Sequence, residues 1–239
     1  MDILSPNIFP TEIKSGIVTA NFNLYPEFGF SASENSPHSK EQILQMRQDL
    51  ANQIGVNIDD LIFQNQIHSD IIKIVDYKYT YSNSDGLITN INNKILCISV
   101  ADCLAVLLYD PLNKIIAAVH SGWRGTKQNI IKNAVELMKS KFSSKTEDIL
   151  AYISPSASVE NYEVSEGFLY NFDKKYFIKK SEKYFFDNKL AVYDQLLNLG
   201  IKSENIESSS LCTINNRKLH SYRRDGHSAG RMCAFISLK

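Results

Sequence analysis

Residues 95–109 read ILCISVADCLAVLLY, and no other stretch restricts the fold as strongly. A run this apolar is not a surface element, so the rest of the chain has to cover it. Asp102 and Cys103 interrupt it, and the reading is two buried segments with a bend at Ala101-Asp102-Cys103. A turn at Asp110-Pro111-Leu112-Asn113 follows, then a strand over 114–120, KIIAAVH. That strand ends on His120 and runs straight into SGWRGT, where a glycine stands on each side of Trp123-Arg124. A strand that stops on a histidine before a glycine-flanked Trp-Arg pair reads as the rim of a site.

The remaining elements are mixed in type. Ser39 begins a capping box with Gln42, and Ile43, Leu44, Met46, Leu50 and Ile54 give helical spacing up to a stop at Gly55. Strands are read over 61–68 and 70–76, a turn over 82–86 and a short strand over 87–90. Ile130, Ile131, Ala134, Val135, Leu137, Met138 and Phe142 mark an amphipathic helix within 126–142. A strand over 149–155 stops at Pro155, and helices are expected around 165–176 and 188–199. Strands are expected near SSLCTI and MCAFISL, joined by the polar loop HSYRRDGHSAGR. Strands and helices do not alternate as in a doubly wound sheet, so the expectation is an α+β fold with mixed sheets. No linker divides the chain, which reads as a single domain over 1–239.

Composition removes several function classes. Lys plus Arg and Asp plus Glu both number 26, for a formal net charge of zero, against a nucleic-acid binder. There is no 18-residue apolar span and no basic leader followed by an apolar core, so neither membrane insertion nor secretion is expected. Four scattered cysteines point to a reducing cytoplasm, and Cys212 and Cys233 read as core residues. No glycine-rich phosphate loop occurs.

His68, Cys103 and His120 each fall at a strand end or at a break in an apolar segment. Two imidazoles and a thiolate suit zinc, and three protein ligands leave a fourth position open, as in catalytic sites. A Cys103–His120 nucleophile and base pair is the competing reading; so, residue by residue, are ordinary core packing and edge hydrogen bonding. Gln66, two residues before His68 in the expected strand, would share its face. Asp102 would turn away from Cys103 and orient a ligand histidine. Arg223, Arg224 and Arg231 flank two glycines in the polar loop, a pattern that fits a phosphate or carboxylate fork or else a solvated turn.

Together NQIHSD, DGLITN, SVADCLAVLLYDP, AAVHSGWRGT, NYEVSEGF, SLCTINN and SYRRDGHSAGR resemble, in order, the blocks of the YfiH-type family, also called multicopper polyphenol oxidase or laccase-domain proteins. The likeness runs from about residue 40 to the C-terminus. It implies an α/β/β/α layered sandwich similar to the catalytic domain of cytotoxic necrotizing factor, with zinc held by His68, Cys103 and His120. It also implies phosphorolysis of adenosine, inosine, guanosine and methylthioadenosine, with adenosine deamination besides, and a link to peptidoglycan precursor editing. The partners would be nucleoside and phosphate, with no obligate protein partner.

The expected catalytic residues are Cys103, His120, Gln66 and Arg47, and the substrate-binding ones Arg47, Arg124 and Arg223; Arg47 comes from the resemblance, at the family's Asn-Arg position after the first helix, and Gln66 from the strand face it would share with His68. Arg124 has a loop-bracing ion pair as its alternative role. The family's laccase label conflicts with ligand counting. Five histidines and no HxH pair cannot build a mononuclear plus a trinuclear copper cluster, although one His/His/Cys site can take copper in vitro. The HxE and PCxxC signature of zinc nucleobase deaminases is absent too. Residues 17–36 lack the Arg-Gly-Gly segment common in the family, so the substrate-side wall differs. A cysteine hydrolase or amidase acting on peptidoglycan precursors, and a binding protein with a vestigial site, remain the alternatives.

Overall fold

The computed structural model describes residues 1–76, 80–81 and 83–239. Ser82, the first residue of the turn read at 82–86, lies outside the described residues.

The two buried segments of the apolar run do not form a hairpin. Ile95–Val100 belongs to one six-stranded sheet and Leu104–Asp110 to another. Ala101–Cys103 is the bend expected between them, and here it carries the chain from sheet to sheet, with Asp102 in the left-handed region at φ 84°. The first sheet runs, edge to edge, Ile3–Leu4, Ile13–Val18, Met232–Leu238, Ile95–Val100, Leu61–Gln64, Thr80–Tyr81. The second runs Ile206–Ser208, Leu150–Ile153, Leu104–Asp110, Ile115–Ser121, Gly86–Thr89, Ile72–Ile74. Each mixes parallel and antiparallel pairs.

Alternation explains the layering. In Leu104–Asp110 all seven residues are buried. Ala105, Leu107 and Tyr109 point between the sheets and meet Leu96, Ile98, Ala234 and Ile236. Leu104, Val106 and Leu108 point outward, under Ile131, Val135, Met138, Val192 and Leu196. Those come from the helices Ile130–Phe142 and Asn188–Asn198. On the far side Ile95, Cys97, Cys233 and Phe235 face outward beneath Met46, Leu50 and Ala51 of the helix Lys40–Ile54. A period of two puts half of each central strand into each core, so the strands read as unbroken apolar runs. The result is the expected α/β/β/α sandwich.

Local signals account for much of the boundary placement. Ser39 Oγ accepts from the Gln42 N–H at 3.3 Å and Gln42 Oε1 from the Ser39 N–H at 2.8 Å, closing the capping box, and Gly55 ends the helix at φ 66°. The Asp110 carboxylate accepts from the N–H groups of Leu112 and Asn113, turning the hairpin between Leu104–Asp110 and Ile115–Ser121.

Several expectations need correction. The strand read over 61–68 stops at Gln64, because the Asp85 carboxylate captures the backbone N–H groups of residues 67–69. The 126–142 helix is two helices, Trp123–Lys127 and Ile130–Phe142, broken where Asn129 is left-handed at φ 60°. Residues 165–176 form short 3₁₀ turns, Glu166–Asn171 and Lys174–Tyr176, whose aromatics join a cluster with Trp123 and Phe186. The strand expected near SSLCTI, residues 209–214, is Ile206–Ser208, wholly before it, and Cys212 makes only an isolated bridge to Ser156. The polar loop holds a short helical turn at Tyr222–Asp225. The small antiparallel sheet of Glu163–Val164, Lys183–Phe186 and Phe177–Lys180 was not foreseen.

Candidate metal centre

Two connections cross between the sheets at the same end of the sandwich. Residues 101–103 are one; residues 65–71, joining Leu61–Gln64 to Ile72–Ile74, are the other. Cys103 lies on the first and His68 on the second. His120, opposite Ala105 near the end of Ile115–Ser121, lies between them. Where the sheets part, side chains cannot fill the gap, and a cleft of ≈ 750 Å³ opens.

Asp85 assembles the centre. Its side chain is fully buried. The carboxylate accepts N–H bonds from Ile67 at 3.2 Å, His68 at 3.0 Å and Ser69 at 2.6 Å, and the Ser69 hydroxyl at 2.7 Å. Three successive amides on one carboxylate bend the loop tightly and hold His68 at φ 59°. The same carboxylate accepts from His120 Nδ1 at 2.8 Å. With Nδ1 on Asp85, the other ring nitrogen of His120, Nε2, is left for Cys103: it donates to the thiolate in the metal-free protein and offers its lone pair to a metal once that proton is lost. The two imidazoles meet edge to face, centroids 4.8 Å apart at 84°. Nitrogen and sulfur donors of His68, Cys103 and His120 all lie within 4.8 Å of one another.

Charge and burial pull in opposite directions here, and the partners win. Burial would raise the Asp85 carboxyl, but hydrogen bonds from His120 and Ser69 and the His120 charge hold it at about 2. Burial would raise the Cys103 thiol, yet hydrogen bonds and charge from His120 and His68 bring it down to about 6. Burial opposes the charged His120 ring, yet Asp85 and Cys103 raise it to about 9. At neutral pH the group therefore offers a thiolate already formed, backed by a carboxylate.

This donor set fits a metal ion. Soft sulfur with two imidazoles, one of them backed by a carboxylate, is the chemistry of zinc and also of single-copper sites. Gly122 supplies the clearance: a Cβ there would lie 3.0 Å from Cys103 Sγ and 3.2 Å from His68 Cδ2. Among the described residues this is the single group of three or more such donors. The other histidines lie apart. His220 is buried, bonded through Nε2 to the Phe30 carbonyl, and pushed down to about 4 by burial. His38 meets Ser36, and His227 lies edge-on to Tyr222 at the cleft rim.

The other expected site residues divide into two groups. Arg223 lines the cleft, with its guanidinium over Tyr162 and Nη1 on the Glu163 carbonyl at 2.9 Å. Gln66 lines it too, but outside any strand; its amide clamps the Ser99 backbone, donating to the carbonyl at 2.9 Å and accepting from the N–H at 2.7 Å. Its polar atoms are thus committed to holding the loop. Arg47 lies outside the cleft lining, stacked on Phe63 and bonded to the Ala32 carbonyl, where it braces the segment leading to the rim. Arg124 is exposed outside the lining and stacks on Trp123 at 4.5 Å; among the described residues it has no ion pair.

Asp102 does not orient a ligand histidine. Its carboxylate accepts from Thr213 Oγ1 and from the Arg223 N–H, both at 2.6 Å, and ties the polar loop to the bend. Asp85 does the orienting instead. Its signal was the DG pair at the end of SNSDG, which sequence alone reads as a turn. Cys233 is core, as expected, whereas Cys212 is half-buried and accepts from the Ser158 N–H at 3.4 Å.

Residues 15–239 match the family described as multi-copper polyphenol oxidoreductase laccase, and the chain belongs to it. A protein of Clostridium acetobutylicum named purine nucleoside phosphorylase is 37% identical over 226 residues, covering 91% of this chain and 92% of its own. A protein of Bacteroides thetaiotaomicron with the same name is 32% identical over 238 residues, covering 92% of this chain and 85% of its own. The crystal structure of the Bacillus licheniformis protein YfiH superposes with a TM-score of 0.89 at 28% identity, covering 95% of this chain and 93% of its own. That of YlmD from Geobacillus stearothermophilus gives 0.89 at 23% identity, covering 98% and 94%, and shares the fold. The fold and the His/Cys/His group agree with the family resemblance; the five histidines do not supply a multicopper set.

Proposed function

We propose that this chain is a zinc-dependent purine nucleoside phosphorylase acting on adenosine, inosine, guanosine and methylthioadenosine, and that it also deaminates adenosine. The observation that carries the reading is the convergence of His68, Cys103 and His120 on the floor of a nucleoside-sized cleft, in a chain whose relatives bear the phosphorylase name. We take residues 1–239 to act as one unit.

Phosphorolysis breaks the bond from the ribose anomeric carbon to the purine nitrogen and forms a bond from that carbon to a phosphate oxygen. The bonding pair leaves with the purine, which then takes a proton. The chain's part is to place phosphate below the sugar, hold the ring, and stabilise the departing negative charge. Arg223 is the arginine of the expected set that faces the cleft. Gln66 and Arg47 act as braces for the walls, and Asp85 holds His68 and His120 in register. When bound, zinc supplies a Lewis acid for a substrate hydroxyl or for water.

The test is mass spectrometry of products from zinc-loaded protein with adenosine or inosine, with and without phosphate. Free base and ribose 1-phosphate that appear only with phosphate are the expected outcome. No base release under either condition would overturn the proposal.

One observation favours a second reading. Asp85, His120 and Cys103 form a carboxylate–imidazole–thiolate chain, the order of groups used by cysteine hydrolases. On this reading metal-stripped protein is the active form and a peptidoglycan precursor amide the substrate. Hydrolysis that zinc stimulates would reject it.

A further inference from the structure

The polar loop 220–231 carries three arginines in two different states. Arg224 is saturated. Its Nε and Nη2 clasp Asp225, and Nη1 and Nη2 also reach the carbonyls of Thr213, Ile214, Asn216 and Leu219. It is a structural pin. Arg223 spends only Nη1, on the Glu163 carbonyl. Arg231 also spends only Nη1, on the carbonyls of Ala229 at 2.6 Å and Gly230 at 3.0 Å. Among the described residues the Nε and Nη2 groups of both, the edge that reads a bidentate acceptor, carry no hydrogen bond, and neither residue has an ion pair.

Arg231 is the more telling of the two. Its side chain is half-buried and stacks at 5.4 Å over the Tyr222 ring. Carbonyl oxygens orient a guanidinium but do not neutralise it, and a desolvated cation with no counter-ion in direct contact is costly. Two acidic groups of the cleft act on Arg231 through charge without touching it: Cys103, which belongs to the metal centre, and Asp102, whose oxygens are both engaged, with Thr213 and the Arg223 N–H. Glu34 sits at the exposed rim. Strand pairing fixes where the arginine lies: Met232 pairs with Val100, so Arg231 emerges beside the bend that bears Cys103. Both arginines line the same cleft as His68, Cys103 and His120.

We propose that Arg231, with Arg223, forms a subsite for a tetrahedral oxyanion in this cleft, and that in the reaction proposed above the anion is inorganic phosphate. The identity of the anion rests on that reading; the existence of the subsite rests on the two open guanidinium edges. Guanidinium forks match tetrahedral oxyanions edge to edge, and the neighbouring triad places such an anion beside the reacting centre.

The test is calorimetric titration of zinc-loaded protein with inorganic phosphate, and separately with sulfate. It compares wild type, Arg231→Met, Arg231→Lys, Arg223→Met and, as a charge control, Arg217→Met, which lies on the surface outside the cleft. Phosphate affinity is expected to fall about 10- to 100-fold in Arg231→Met, less in Arg223→Met, and not in Arg217→Met. Arg231→Lys keeps the stem and the charge but not the fork, so a folded protein with weakened binding is expected even if the Met variant fails to fold. In turnover, the KM for phosphate is expected to rise more than the KM for nucleoside. Arginine-dependent phosphate binding in a protein that releases no base would uphold the subsite while rejecting phosphorolysis. Phosphate-dependent turnover or binding left at wild-type strength in Arg231→Lys and Arg223→Met would overturn the subsite while leaving phosphorolysis in place, as would the absence of phosphate binding in a wild type that turns over.

Discussion

Asp85→Asn is the perturbation that most sharply tests how the centre is held. The replacement keeps the shape and one acceptor oxygen but removes the charge, and it turns an NH₂ group toward a ring of donors. A carboxyl held at about 2 rather than 3.8 is favoured as the anion by on the order of 2–3 kcal/mol. His120 shifts further, from 6.5 to about 9, because Cys103 also acts on it. The carboxylate side is therefore the better measure of the Asp85–His120 pair, and the two must not be added. Leaving at least one of the buried donors of residues 67–69 or His120 unmatched costs roughly 1–3 kcal/mol more.

The expected loss in metal-free protein is about 3–5 kcal/mol, read as a urea midpoint lower by roughly 1–2 M. Metal affinity, measured by competition with a chromophoric chelator, is expected to fall about 10- to 100-fold, because His68 and His120 lose their common anchor. The pH dependence gives an independent check. A carboxyl with a depressed folded pKa contributes fully above its unfolded value, and that contribution disappears as pH falls from about 3.8 toward 2. Wild type should show this loss of stability and Asp85→Asn should not. A variant within 1 kcal/mol of wild type and within threefold in metal affinity would refute the role given to Asp85.

Two further outcomes follow from the same geometry. Gly122→Ala places a Cβ 3.0 Å from Cys103 Sγ and 3.2 Å from His68 Cδ2. It should weaken metal binding at least about tenfold and alter the sulfur-to-metal absorption of the cobalt-substituted protein, at a stability cost of about 1–3 kcal/mol; an unchanged spectrum would show that the cradle has slack. In metal-free protein, iodoacetamide should alkylate Cys103 with a half-maximal rate near pH 6, well below an ordinary thiol, and zinc should block the reaction. A midpoint near 9 would remove the thiolate from the account.

Much of this was legible in the sequence because it follows from local rules. The capping box at Ser39, the stop at Gly55 and the turn after Asp110 each depend on groups a few residues apart, and each is found as read. The run 95–109 had to be core, and its interruption had to be a bend. His68, Cys103 and His120 drew attention for a related reason: polar donors at the ends of apolar strands have few structural uses. The errors also have a common cause. The 61–68 strand and the role given to Asp102 both rest on regular backbone that the fold does not keep: Asp85, distant in sequence, takes the amides of residues 67–69 that a strand over 61–68 would use, and Asp102 sits left-handed in the bend with its carboxylate on Thr213 and the Arg223 N–H. The 3₁₀ turns of 166–176 follow an aromatic cluster rather than their own helical spacing.

By itself the sequence determined which residues must be buried, where the chain must turn, and which side chains were chemically equipped for a site. Those properties reside in side-chain chemistry and short-range periodicity. Only the tertiary structure decided that the halves of the apolar run lie in different sheets, that two crossings meet at one end, and that Asp85 rather than Asp102 holds the histidines. It also decided which of three similar arginines is a pin and which two are open. Hydrogen bonds between groups far apart in the chain settle such questions, and their partners are chosen by how the layers stack.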